Sequence, residues 1–162
     1  MVNVKTKTVA GYVVADVALV GAACMVPAVS HALALPLYMM NPMLALLLAG
    51  MLVRRDWRNG LLLAVLMPLV SCLAVGMPAA DKMVCMMAEL ATVAAVFGWL
   101  QRRWSALPAV LVAVLAAKGV YYGLKALIVA PAVLVGTDWM VQLGAVLLWA
   151  GLFAMLYKKF KA

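Results

Sequence analysis

Glu89 and Lys118 fall inside long apolar stretches that must otherwise lie in lipid. An ionisable side chain at membrane depth costs about 3 kcal/mol even on lenient insertion scales, so it normally faces a cavity, a partner or a transported solute. Each has companions at helical spacing. Cys85, Glu89 and Thr92 stand at i, i+4 and i+7 among Met83, Met86 and Met87. Methionine adapts to irregular surfaces, so Met86 beside a carboxylate suits a small-molecule pocket as well as plain core filling. Lys118, Tyr121, Tyr122 and Lys125 follow at i, i+3, i+4 and i+7, which puts ammonium groups and phenols on one face of a helix. Gln142 carries an amide into the last apolar run, where it needs partners from a neighbouring helix or from a ligand. At about 1.5 Å per residue, Glu89 lies about 10 Å and Lys118 about 15 Å below the same end of their helices, so the two charges can meet. This chemistry suits capture of a small polar solute. The plain alternative is a structural ion pair that neutralises two buried charges, with Lys125 snorkelling to the surface.

Other chemistries find less support. Ser30 beside His31 has the residue types of a nucleophile and base, but sequence neighbours are rarely oriented as such a pair, and a cap and loop contact is the expected role. Cys24, Cys72 and Cys85 show no C-x-x-C spacing and lie in apolar runs, as buried free thiols do; with a single histidine there is no metal cluster to build. No G-x-x-x-x-G-K-[ST] loop is present, so nucleotide hydrolysis is not expected of this chain. The net charge of +8 is dispersed over helix ends, where anionic lipid explains it better than nucleic acid. No enzyme activity, cofactor or metal is expected.

The elements that must position these residues follow from composition. With 70% hydrophobic and 11% charged residues, the chain reads as an all-α integral membrane protein. About 20 apolar residues in a helix span a hydrocarbon core of about 30 Å. Six stretches qualify or come close, at residues 8–29, 42–53, 61–75, 83–100, 106–129 and 139–157, which gives a single membrane domain over residues 1–162. Pro36 and Pro42 interrupt regular helix, so Ser30 to Asn41 is expected to be a loop that caps or re-enters the bundle. The first stretch imitates a signal peptide, but it is long, contains Asp16 and leads into five more, so it reads as the first membrane helix. If six helices alternate, Lys5, Lys7, Arg54, Arg55, Arg58, Arg102, Arg103, Lys158, Lys159 and Lys161 share one side, leaving only Lys82, Lys118 and Lys125 of the 13 basic residues elsewhere. The positive-inside rule then places both termini in the cytoplasm of a multi-pass protein of the cell membrane, a bacterial or archaeal inner membrane.

Small residues mark contact faces. Gly11, Ala15, Ala18 and Ala22 line one face of the first helix, suited either to packing within the bundle or to docking a separate membrane subunit; Asp16 lies about 100° away from it. Gly119-x-x-x-Gly123 invites close packing on the fifth helix. Trp139 is expected to anchor at the interface, ahead of the series Asp138, Gln142, Ala145 and Trp149.

In order along the chain, the apolar segment with His31, Asn41-Pro42-Met43 leading to Leu47-Leu48-Ala49-Gly50, Pro68-Leu69-Val70-Ser71, Gly76-Met77-Pro78, Met86-Met87-Ala88-Glu89-Leu90 and Ala116-Ala117-Lys118-Gly119-Val120-Tyr121 resemble the substrate-binding S components of energy-coupling factor vitamin transporters. The resemblance covers about two thirds of the chain and lies in the order of short pieces. It implies six helices that bind a vitamin or vitamin precursor from outside through the first outer loop and helices four to six. Glu89, Lys118, Tyr121, Tyr122, Gln142 and Met86, with His31 and Asn41 from the outer loop, would then form the substrate site. The stripe of Gly11, Ala15, Ala18 and Ala22 resembles the family's docking face for a membrane coupling subunit driven by two ATPase subunits, where the ATP hydrolysis would reside. One departure is Lys118, where the family's fifth helix usually has Arg; lysine lacks the bidentate fork. The side chains suit a small heteroaromatic or carboxylate-bearing vitamin such as pantothenate, a pyridoxine-type compound or a pyrimidine precursor.

Two other readings remain in play. A non-transporting membrane scaffold, resembling rod-shape-determining membrane proteins, would use the first-helix stripe for a partner and the Glu89–Lys118 pair for structure. A secondary transporter working alone is disfavoured, since neither an inverted repeat nor paired broken helices can be seen.

Overall fold

The computed structural model describes residues 3–32, 34, 40–54, 56–128 and 139–161. Those residues form six α-helices and no strand: α1 (Asn3–Ala32), α2 (Pro42–Arg54), α3 (Trp57–Val75), α4 (Ala80–Leu100), α5 (Ala106–Ile128) and α6 (Trp139–Lys161). Four stretches among them are long and apolar enough to cross a membrane, namely Val9–Ala32, Trp57–Val75, Ala80–Leu100 and Ala106–Ile128, which marks a membrane protein. α6 matches them with 23 residues, but the 13 residues of α2 rise only about 20 Å. The expected count of six helices is therefore present, while α2 is too short to cross by itself.

Local chemistry explains where the helices start and stop. Asp56, in extended conformation, caps α3 by accepting a hydrogen bond from the backbone N–H of Arg58 at 2.9 Å. The other end of α3 stops at Gly76, whose φ of +74° is left-handed and costs a glycine nothing, and its N–H closes onto the Cys72 carbonyl at 2.9 Å. Ser71 donates to the Met77 carbonyl at 2.7 Å and fastens the turn that follows. Asp81 sits in the first turn of α4, where a carboxylate complements the helix dipole. α1 runs on past Pro27, so Ser30 and His31 belong to its last turn rather than to a loop. The rest of the expected loop, residues 33 and 35–39 with Pro36, lies outside the described residues. So do Arg55 and Asp138.

α4 packs between α3 and α5, while α2 touches α1, α3, α4 and α6; α1 meets α2 and α3, and α6 lies against α5 and α2. The core joins Leu44, Leu47 and Met51 of α2, Leu63 and Met67 of α3, Leu90, Val93 and Phe97 of α4, the alanine ladder Ala109, Ala113 and Ala117 of α5, and Val146, Ala150 and Phe153 of α6. Alanines one turn apart let neighbouring helices approach closely. Gly98 serves the same end more sharply: a Cβ there would stand 2.5 Å from the Cβ of Trp57. Gly119 and Gly123, by contrast, are exposed, and a Cβ at either would meet nothing within 4 Å among the described residues, so the expected packing at that pair is not found among them.

α1 is peripheral, with only 6% of its apolar window buried. Its inward side carries Leu19, Val20 and the fully buried Ala23. Gly11, Ala18 and Ala22 are exposed and Ala15 is half-buried, so the small-residue stripe points away from the bundle. Asp16 finds its role on the inward side. Both its oxygens are occupied, Oδ2 by Arg54 Nη1 of α2 at 2.9 Å and Oδ1 by Asn59 Nδ2 of α3 at 2.9 Å. Arg54 also donates to Asn59 Oδ1, and its guanidinium lies 5.3 Å from the Tyr12 ring centre. A single polar clamp thus ties three helices together.

Candidate functional site

The site begins with a carboxylate that lipid would not tolerate alone. Glu89, on the buried face of α4 with Cys85 and Val93, is 3% exposed. Its Oε1 accepts two donors: Lys118 Nζ of α5 at 2.8 Å and Asn41 Nδ2 at 3.0 Å. A buried charge is tolerable when paired and hydrogen-bonded, and this one has both.

Each donor is held by its own element. Asn41 precedes α2 with a φ of +49°, a left-handed conformation in which asparagine is enriched. From there its Oδ1 caps the Leu44 N–H at 3.4 Å while its amide nitrogen is left free for Glu89. The adjoining Met40 carbonyl accepts the indole N–H of Trp149 from α6 at 2.7 Å, which fastens the start of α2 to the bundle. Lys118 projects from the middle of α5, with its ammonium 5.3 Å from the Tyr121 ring centre and 6.0 Å from that of Tyr122. Those rings meet edge to face at 5.2 Å, and the Tyr122 hydroxyl donates to Gln142 Oε1 of α6 at 2.5 Å. Cation–π contact adds to the stabilisation of an ammonium that is removed from water.

The structure therefore gathers Asn41, Glu89, Lys118, Tyr121, Tyr122 and Gln142, carried by α4, α5, α6 and the start of α2, into one connected network. Met86 is half-buried and packs against the core one turn from Glu89. His31 is exposed in the last turn of α1, and no contact among the described residues brings it to this network. Thr92, the third residue of the polar edge on α4, turns its hydroxyl back to the Ala88 carbonyl at 2.7 Å and so serves its own helix. No group of three or more His, Cys, Asp or Glu side chains able to hold a metal is found among the described residues.

Two participants escape sequence reasoning. Trp149 stands in the sequence as one member of a spaced series, whereas in the fold it holds the backbone beside Asn41. Lys125, which the sequence places on the polar face of α5 or, in the plain alternative, snorkelling to the surface, is only 9% exposed. Its signal is available in the sequence: it continues the i+4 series Ala109, Ala113, Ala117, Tyr121, whose alanines are all fully buried.

One end of the bundle is built differently. Phe97, Phe153 and Tyr157 cluster with ring centres 5.1 to 5.8 Å apart, and the Tyr157 hydroxyl donates to Gln101 Oε1 at 3.0 Å. That end also carries Arg58, Arg102, Arg103, Lys158 and Lys159, so these basic residues stand apart from the Glu89–Lys118 pair near the middles of α4 and α5.

In comparisons with known proteins, no family model, no curated protein and no solved structure matches this chain.

Proposed function

We propose that this chain is the solute-capturing membrane subunit of an ATP-driven uptake system for a vitamin or vitamin precursor, in the manner of an energy-coupling factor S component. The observation that carries this reading is the Glu89–Lys118 pair, bound by Asn41 and framed by Tyr121, Tyr122 and Gln142, near the middles of α4 and α5 and apart from most of the basic residues. Three helices and the residue before a fourth each supply a polar or aromatic side chain there, at a cost in desolvation that a purely structural bundle could avoid with apolar residues. The outward stripe of Gly11, Ala15, Ala18 and Ala22 on the peripheral α1 supports docking to a membrane coupling subunit, with ATP hydrolysis in two separate ATPase subunits. In this reading both termini face the cytoplasm of a bacterial or archaeal inner membrane, and solute enters from outside.

The second reading is a non-transporting membrane scaffold. It draws on the satisfaction of Glu89 within the chain, since a carboxylate already bound by Lys118 and Asn41 has no need of a solute. Mass spectrometry of small molecules released from gently purified protein separates the two, with the Glu89→Gln, Lys118→Met double variant as control. A vitamin-sized compound retained by the native protein and lost from the folded double variant is the expected result. An empty native protein, repeated after growth in vitamin-rich medium, would favour the scaffold.

A further inference from the structure

The charges buried at the network do not cancel. Glu89 is answered by Lys118 at 2.8 Å, but Lys125 on the same helix is nine-tenths buried and has no ion-pair or hydrogen-bond partner among the described residues. Asp81, in the first turn of α4, is exposed, and no ion pair joins it to Lys125 among the described residues. On α4, the thiol of Cys85 is buried one turn from Glu89. Lys125 stands two turns beyond Lys118, about 10 Å along the axis, with Tyr121 midway between them. Lysine on a membrane helix usually extends its stem to bring the ammonium to water; here the residue as a whole is only 9% exposed.

From this imbalance we infer that Lys125 receives the anionic group of the captured solute, so that the substrate is a small carboxylate or phosphate ester rather than a neutral or cationic compound. The inference rests on the solute-capture reading and narrows it. Glu89, Lys118 and Lys125 together carry one positive charge with no counter-charge paired to it among the described residues, and a monoanion restores neutrality where water is scarce. The half-buried Tyr121, Tyr122 and Met86 then offer aromatic and thioether surface to the body of the solute, with the acid toward Lys125 and the body toward Lys118. The Glu89 carboxylate repels a second acid near Lys118, which fixes the polarity of the bound molecule.

The test uses the full chain purified in a phosphate-free maltoside detergent and exposed to the small-molecule fraction of rich growth medium. Retained compounds are identified by mass spectrometry for the native protein and for Lys125→Met, Lys125→Gln and Lys125→Arg, with thermal melting as the folding control. The expected result is a retained carboxylate or phosphate ester. Its affinity falls about 10- to 100-fold in the folded Met or Gln variant, as for loss of a charged hydrogen bond, and is largely kept by Arg. A retained compound that is neutral or cationic, or an acid held equally well by Lys125→Met or Lys125→Gln, overturns the Lys125 assignment and leaves solute capture standing. A phospholipid bound through its phosphate and lost with Lys125, with no soluble acid retained, also overturns it and assigns the charge to the membrane. Native protein that retains nothing overturns the capture reading itself. The charge of the compound held by native protein decides the matter even where the Met and Gln variants fail to fold.

Discussion

At the scale of single residues, the question is how a carboxylate, an ammonium and an amide come to share one buried point. Glu89 and Lys118 are legible in the sequence because charge inside an apolar run has few permissible fates. Asn41 is legible only as a loop residue near a proline; its hydrogen bond to Glu89 spans 48 positions and depends on the left-handed backbone before α2. Because Lys118 and Glu89 answer each other in a buried site, removing either charge of the pair leaves the other without its counter-charge. Glu89→Gln alone and Lys118→Met alone are each expected to lower stability by about 3 kcal/mol, the size seen when one half of a buried pair is lost. The double variant should recover most of that loss, since no unpaired charge remains of the pair. Thermal melting of the four proteins in detergent checks it, and equal, additive losses would show that the ion pair is not energetically coupled.

At the scale of elements, packing is decided by which helical face is small. Spacing alone marks Gly119 and Gly123 as a close-packing pair, yet they are exposed; the close approach occurs instead at Gly98, against Trp57 at the start of α3. Periodicity cannot tell an inward small face from an outward one, because both have the same spacing. The geometry at Gly98 makes a specific expectation. Gly98→Ala should cost about 1 to 3 kcal/mol by overpacking, and Trp57→Ala should not rescue it, because the nearest atom to the new methyl is the Trp57 Cβ that alanine retains. Melting temperatures of the single and double variants measure this. Full rescue by Trp57→Ala would mean that the indole ring, rather than the backbone approach, forms the barrier. The Asp16–Arg54–Asn59 clamp belongs to this scale as well: it turns Asp16 and Ala23 of α1 inward and so leaves Gly11, Ala18 and Ala22 outside.

At the scale of the whole molecule, the distribution of charge between the ends carries the functional argument. The Glu89–Lys118 pair lies near the middles of α4 and α5, and Arg58, Arg102, Arg103, Lys158 and Lys159 gather at one end. In the proposed orientation, which follows the positive-inside rule, the basic end faces the cytoplasm and the network faces outward. With Cys24, Cys72 and Cys85 replaced by alanine, a cysteine at Lys82 should react with a membrane-impermeant maleimide added to intact cells, and one at Lys159 only after lysis. The reverse pattern would place the network on the cytoplasmic side and remove the case for uptake.

Helix number, approximate helix bounds, membrane class and the prominence of Glu89, Lys118, Tyr121, Tyr122 and Gln142 as polar side chains in apolar runs were determined by the sequence itself. Hydrophobic runs of membrane length admit one secondary structure, and rare polar residues within them stand out. Only the tertiary structure decided that Asn41 reaches Glu89, that Trp149 secures the start of α2, that His31 stays apart, that α1 presents its small residues outward and that Lys125 is buried without a counter-charge among the described residues. Those facts depend on the rotation of each helix about its axis and on contacts between distant residues. Both are set by how six apolar surfaces fill space together, a property that no single helix carries.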